Sequence, residues 1–292
     1  MNSLGGLIFA ANKLVNLTRT IMATELRPGE RLIPEDIHTA EDYIQLMRHY
    51  FVYDWLNKQI SEDDLIMDLG FGEGYGTRML SEHCREVTGV DVIQKVVDYA
   101  NEKYSSNNCK YIIYDGRTLP FETNSLDVAV AFQVIEHIED DDLFVAELER
   151  VLKNGGKLFM TTPNRATRLK PGQKPFNRFH KREYYARELK GLLAKHFAQV
   201  DMFGISATAE IHEIEFKRIK RGGLMSVALN IGLRKLLPEA LDYKLSRFLQ
   251  RRRGQKGCSL DEDIKQKYPM SDFRVETIEV DKSLDLFGLA VK

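Results

Sequence analysis

The stretch LIMDLGFGEGYGTRML, Leu65–Leu80, sets glycines at 70, 72, 74 and 76 directly behind an apolar run. An interior glycine weakens helix and strand alike by roughly 0.5–1 kcal/mol, so four at alternate positions need a reason. Leu65, Ile66 and Met67 read as the end of a buried strand, and Thr77 onward reads as a helix. A glycine turn between the two lets a ligand approach main-chain N–H groups at the helix N-terminus. A turn that needed only positive φ would be served by one or two glycines.

The rest of the chain follows the same grammar. Strands are expected at EVTGVDV, CKYIIYD, LDVAVAF and GKLFMTTP, with helices around Tyr75–His83, Val96–Tyr104 and Asp141–Leu152 between them. Such alternation gives a parallel sheet with helices on both faces, doubly wound because crossovers are right-handed. After Pro163 a basic stretch rich in Pro and Gly reads as a long, functional loop. A helix near Arg182–His196 and a strand AQVDMFG follow. Two amphipathic helices broken at Pro238 come next, and FRVETIEV and LDLFGLAV close the chain as strands.

Composition limits the setting. The 292 residues suffice for one large α/β domain, and no apolar run approaches the ~18–20 residues of a membrane span. Cys84, Cys109 and Cys258 stand singly, which points to a reducing, cytoplasmic compartment without structural zinc. The N-terminal LGGLIFAA is not read as a signal peptide. Leu7, Leu14, Leu17 and Ile21 partly align on a helix suited to packing or homodimerisation. A net charge of −1 conceals a basic run from Phe216 to Lys256, with twelve Lys and Arg against Glu239 and Asp242. That asymmetry suits an anionic partner or a peripheral contact with the inner face of a membrane.

A dinucleotide is the first ligand to consider for the glycine loop, but GFGEGYG fits GxGxxG only loosely. Asp68, two residues before the first glycine, would repel a pyrophosphate and attract an ammonium or sulfonium. The second strand ends in Asp91, whose carboxylate can accept both hydroxyls of a ribose. Asp115 ends the third strand, one place along the same edge, where an adenine amino group would lie. Cationic amino acid, ribose and adenine describe S-adenosylmethionine.

In order and spacing, DLGFGEG, GVDV, DGRTLPF, LDVAVAFQVIEHI, ERVLKNGGKLFMTTPN and HKREYYARELKGLL resemble the class I S-adenosylmethionine-dependent methyltransferases. The resemblance covers roughly Glu41–Ile205 and the closing strand. It implies a Rossmann-like α/β fold with a mostly parallel seven-stranded sheet and an antiparallel closing strand. It further implies an arm at 1–40, a core at 41–205, a basic helical cap inserted at 206–270, and closing strands at 271–292. On the same basis Asp68, Gly70, Gly72, Gly74, Asp91, Val92, Asp115 and Gly116 bind the cofactor, with Phe132, Gln133 and Arg48 toward its methionine end. Phe71 stands where the family usually has Cys, and Arg48-His49-Tyr50 where it often has Arg-Tyr. PGERLIPE and PFNRFHKREY look like a bacterial and archaeal branch whose members accompany glycosyltransferases in glycan or natural-product biosynthesis.

Methyl transfer is an in-line displacement on an activated methyl, so positioning supplies much of the rate. A hydroxyl acceptor also gains ~10²–10⁴-fold from a base. His137, just past the fourth strand, and His180, in the long loop, are the candidate bases, while Glu136 reads as structural. The run Glu139–Asp142 suits a solvated helix N-terminus, and no metal site is expected. The resulting expectation is methyl transfer to a hydroxyl, less readily an amine, of a small molecule, glycan or lipid-linked sugar. An RNA methyltransferase is the alternative, although no nucleic-acid module flanks the core. A third possibility is a cofactor-binding protein without turnover.

Overall fold

A computed structural model describes residues 32–34, 37–177, 179–230 and 262–292, with the side chains of 222–230 outside the description. Helix α1 (Ala40–Asn57) starts where the Thr39 hydroxyl accepts the Asp42 N–H at 3.1 Å, with Glu41 and Asp42 in the first turn. Cap and acids both offset the positive end of the helix. There follow β1 (Leu65–Leu69), α2 (Tyr75–Leu80), β2 (Glu86–Asp91), α3 (Gln94–Tyr104), β3 (Cys109–Ile113), β4 (Leu126–Phe132), α4 (Asp141–Val151) and β5 (Leu152–Pro163). The chain continues through α5 (Arg165–Arg168), α6 (Ala186–Leu193), β6 (Gln199–Ala207), α7 (Ala209–Asn230), α8 (Glu262–Lys267), β7 (Phe273–Glu276) and β8 (Asp285–Val291).

The strands form one sheet in the order β3-β2-β1-β4-β5-β8-β6-β7. Pairings among β1 to β5 are parallel, and β8 runs antiparallel between β5 and β6. The winding reverses between β1 and β4, so a crevice opens beyond their carboxyl ends, where ligands bind in open α/β sheets. The sheet has eight strands, matching the eight runs read from the sequence, where the family resemblance implied seven. Phe273–Glu276, the start of FRVETIEV, pairs antiparallel with Gly204–Ala207 and extends the edge. It stops at Glu276 because that carboxylate accepts the backbone N–H groups of Thr277 and Ile278, turning the chain.

Both faces of the sheet are covered. Val145, Leu148 and Val151 of α4 and Leu189 and Leu193 of α6 pack on one face with Met67, Leu69 and Met160. Val52 and Leu56 of α1, Leu80 of α2 and Val96 and Ala100 of α3 cover the other with Ile66, Val87 and Val130. Helix α6 begins at Ala186, later than expected from Arg182. Tyr184 is held extended in a bridge to Asn164, and the Glu188 carboxylate accepts the Tyr185 N–H.

The expected insertion begins as a continuation of the core. β6 runs to Ala207, and α7 then packs through Ile211 against Ile44, Tyr268 and Phe273. The N-terminal helix of Leu7–Ile21, the break at Pro238 and the arginines 251–253 lie outside the described residues. No helix among the described residues is long and apolar enough to cross a membrane.

Candidate active site

The four glycines do different work. Gly70 has φ +70, and a Cβ there would lie 2.6 Å from a Val134 methyl, so the loop is pressed against the chain leaving β4. Gly72 has φ +62, and a Cβ there would meet nothing within 4 Å. That backbone therefore faces open space, the room a ligand needs. Gly74 instead packs against α3, where a Cβ would fall 2.9 Å from the Ala100 Cβ, and its carbonyl accepts the Tyr111 hydroxyl. At Gly76 a Cβ would fall 2.1 Å from the Tyr53 ring, so this residue lets α1 and α2 close on one another.

Asp68, next to last in β1, is almost wholly buried, at 1% exposure. Its carboxylate accepts the Thr77 hydroxyl at 2.7 Å and the Tyr53 hydroxyl at 3.1 Å, joining β1 to α2 and α1. Burial pushes its pKa up to about 6, against the lowering effect of these two bonds and with Asp91 adding to the rise. An anion so placed is already anchoring the loop before any ligand arrives.

Asp91 closes β2 beside this loop, and its Oδ1 accepts the Ile93 N–H at 3.0 Å. Val92 and Gly116 come together: a Cβ on Gly116, at φ +78, would touch a Val92 methyl at 3.4 Å. Asp115 Oδ1 accepts the N–H groups of Arg117 and Thr118, both at 2.9 Å, so it also shapes its own turn. Phe132 packs edge-on against Tyr53 with ring centroids 5.0 Å apart. Gln133 is a non-glycine residue at φ +57, held there as its N–H donates to the Thr161 carbonyl at 2.9 Å. Such conformations cost of order 1–3 kcal/mol and concentrate at functional sites.

Arg48 has partners that the sequence did not foretell. Buried on α1, it contacts Glu215 of α7 at 3.0 Å and Asp285 of β8 at 3.1 Å, so its charge is balanced by two carboxylates. Burial would raise the pKa of Glu215, but Arg48 and Arg218 hold it below the usual carboxylate range. The neighbours His49 and Tyr50 approach the glycine loop instead. His49 Nδ1 lies 3.4 Å from the Tyr75 hydroxyl, and the Tyr50 and Tyr75 rings are 4.9 Å apart.

Beyond β4 the chain passes through a short 3-10 turn, Ile135–His137, which brings Glu136 and His137 to the edge of the sheet. The long loop returns here because the backbone N–H groups of Lys181 and Arg182 donate to the Glu136 carbonyl. His180 is thereby set against His137, with rings perpendicular and centroids 5.0 Å apart. His137 Nδ1 sits 3.2 Å from the Phe179 carbonyl, and His180 Nδ1 sits 2.9 Å from Glu183 Oε1. Burial and the His180 ring push the His137 pKa down to about 4, despite the Phe179 carbonyl. Glu136, 1% exposed, accepts the Thr162 hydroxyl at 3.0 Å, and burial pushes its pKa up to about 7. The sequence offered no cue that Glu136 would stand between two histidines. Tyr53, Thr77 and Glu183 were also missed, since only the folded chain sets them against Asp68 and His180.

The open backbone at Gly72, the carboxylate of Asp91 and the Val92–Gly116 contact fit the methionine, ribose and adenine parts of the expected cofactor. The chain matches the family described as Methyltransferase domain over residues 67–160. It is 36% identical over 189 residues to a probable S-adenosylmethionine-dependent methyltransferase of Mycolicibacterium smegmatis, covering 64% of this chain and 71% of that one. A probable methyltransferase of the same description from Mycobacterium tuberculosis is 39% identical, over 61% of this chain and 63% of its own length. A ubiquinone biosynthesis O-methyltransferase of Coxiella burnetii is 29% identical over 34% of this chain and 44% of its own. Among solved structures, the 4+2 cyclase SpnF matches with TM-score 0.53 at 17% identity, over 82% of this chain and 79% of its own. The YcgJ protein of Bacillus subtilis matches with TM-score 0.50, also at 17% identity, over 84% and 98%. These two likenesses show the fold, and a fold shared with a cyclase does not by itself fix a reaction.

Proposed function

Because the chain belongs to the class I S-adenosylmethionine-dependent methyltransferases, we propose that it places the methyl group on a hydroxyl oxygen of a small molecule or glycan. The observation that supports this is the Glu136–His137–His180 cluster just past β4. It gathers lone pairs at the edge of the crevice, where an acceptor hydroxyl must lose its proton. The name of the Coxiella burnetii relative, an O-methyltransferase, is in keeping with an oxygen acceptor.

When bound, S-adenosylmethionine supplies a methyl already activated by its sulfonium. The protein's share is then placement. Gly72 faces the methionine end, with Gly70 packing the loop against Val134 and Asp68 holding it from beneath. Asp91 receives the ribose hydroxyls, while Val92, Asp115 and Gly116 bound the adenine. Phe132 and Gln133 line the methionine side. His137 and His180 hold the acceptor hydroxyl and take up its proton.

The basic run supports an anionic acceptor, such as a phosphorylated or lipid-linked sugar, reached from the cytoplasmic face of a membrane. At its start Lys217 pairs with Glu213, Arg218 with Glu215 and Arg221 with Glu41, so these charges are neutralised within the fold. The eight cations from Arg234 to Lys256 are the ones assigned to the acceptor. Incubation with methyl-labelled cofactor and defined nucleotide- and lipid-linked sugars, read by mass spectrometry, tests the proposal. Label on a sugar oxygen supports it. Label on RNA bases overturns it, as does cofactor binding without any labelled product.

A further inference from the structure

We propose that Glu136, His137 and His180 form a binding site for a divalent first-row transition ion, with Zn²⁺ the best match to their chemistry. The inference concerns these three side chains: an ion bound there would take up the imidazole lone pairs, and the acceptor proton would then leave to an oxygen beside the site and not to a ring. One donor atom from each residue lies within 4.8 Å of the donor atoms of the other two. Bonds of about 2.0–2.1 Å in a tetrahedral site bring ligand atoms to roughly 3.3 Å of one another. The gap of about 1.5 Å is within side-chain rotation, so the backbone is already in place.

The surroundings have the form that metal-binding histidines require. A ligating imidazole usually donates its other ring N–H to a carboxylate or a backbone carbonyl, which fixes tautomer and ring orientation. Both arrangements occur here: His180 Nδ1 is bonded to Glu183, and His137 Nδ1 to the Phe179 carbonyl. These bonds leave the lone pairs of the two rings on Nε2. Glu183 is itself held by Arg168 at 3.2 Å, and Glu136 by the Thr162 hydroxyl at 3.0 Å. Each of the three ligands therefore has a partner that orients it.

Ligand type narrows the ion. Two imidazoles and one carboxylate suit zinc, iron or cobalt, whereas magnesium and calcium favour all-oxygen sets. Three protein ligands also leave a position for water or a substrate oxygen, the pattern of catalytic zinc and not of closed structural sites. The spacing of the sequence conceals this set, because His180 arrives on a separate loop.

Calorimetric titration of the chelator-treated full chain with Zn²⁺ tests the proposal, with Co²⁺ absorption in the visible as an independent report of coordination. One ion per chain is expected, with affinity reduced at least tenfold by His180→Ala. Glu183→Gln, which leaves the three ligands in place, should reduce it by about 10–100-fold. S-adenosylhomocysteine affinity serves as the control for folding and should be the same in all these proteins. If His180→Ala does not fold, His180→Gln replaces it. Absence of binding to the wild-type chain overturns the site, and so does equal Zn²⁺ affinity in the wild type and the folded variant.

Discussion

Gly72 lies in the loop and Gly76 in the first turn of α2, and alanine should act on them in opposite ways. At Gly72 the new Cβ meets no protein atom within 4 Å, so the folding cost is limited to holding an L-residue at φ +62. That is about 1–2 kcal/mol, or a fall in Tm of roughly 2–8 °C for a chain of this size. Cofactor affinity should drop far more, at least tenfold, because the methyl occupies the space where the ligand approaches bare backbone. At Gly76 the Cβ would sit 2.1, 2.2 and 2.6 Å from three atoms of the Tyr53 ring. The ring cannot swing aside without withdrawing its hydroxyl from buried Asp68, so overpacking of about 1–3 kcal/mol adds to the loss of a hydrogen bond to a charged group, about 1.5–3 kcal/mol. Thermal unfolding and calorimetry with S-adenosylhomocysteine separate the two effects. A Gly72→Ala protein that binds with wild-type affinity refutes the placement of the cofactor, and a Gly76→Ala protein of wild-type stability refutes the packing argument.

Arg48→Ala should destabilise the fold by about 3–5 kcal/mol by stranding Asp285 and leaving Glu215 to Arg218 alone, while the protein still folded at low temperature keeps its S-adenosylhomocysteine affinity. A selective loss of cofactor affinity at unchanged Tm would return Arg48 to the cofactor site. Asp91→Ala removes the ribose acceptors at a cost of ~1–3 kcal/mol, so affinity should fall roughly ten- to a hundredfold; an unchanged titration refutes the assignment. Because the folded pKa of Asp68 is raised to about 6, its contribution to stability is present in full below about 4 and is lost as pH rises through 6. Asp68→Asn should therefore lose less Tm than the wild type between pH 5 and pH 8, both measured without cofactor; parallel curves would show that the buried carboxyl does not titrate as described.

The alternation of apolar runs made the order of β1 to β5 legible, because buried parallel strands read as near-continuous apolar stretches. The positions of Asp68, Asp91 and Asp115 along the chain were legible too, since each lies within two residues of the carboxyl end of a parallel strand and needs no tertiary knowledge to be placed there. Tertiary contacts account for what was hidden. The ion pairs of Arg48 could not be read from the sequence because its carboxylate partners stand on α7 and β8, far along the chain. Glu136 looked structural because nothing local showed that the loop would bring His180 to it. Gly76 read as one more loop glycine, and only the approach of Tyr53 from α1 explains why it must be bare.

The bridge between Asn164 and Tyr184 gives the long basic loop a fixed mouth, closed again by the Glu136 carbonyl holding Lys181 and Arg182. The entropy of closing a loop grows only logarithmically with its length, so doubling it costs about 0.6 kcal/mol. Residues beyond Leu169 in the loop can thus be added, removed or exchanged at little expense in stability. His180 and Glu183 keep their positions beside the anchor as long as Arg168 is retained. The consequence is a division of labour suited to diversification: the edge that carries His137 and His180 stays fixed while the span at 170–177 can vary, and grafting that span between related chains should move acceptor choice without rebuilding the fold.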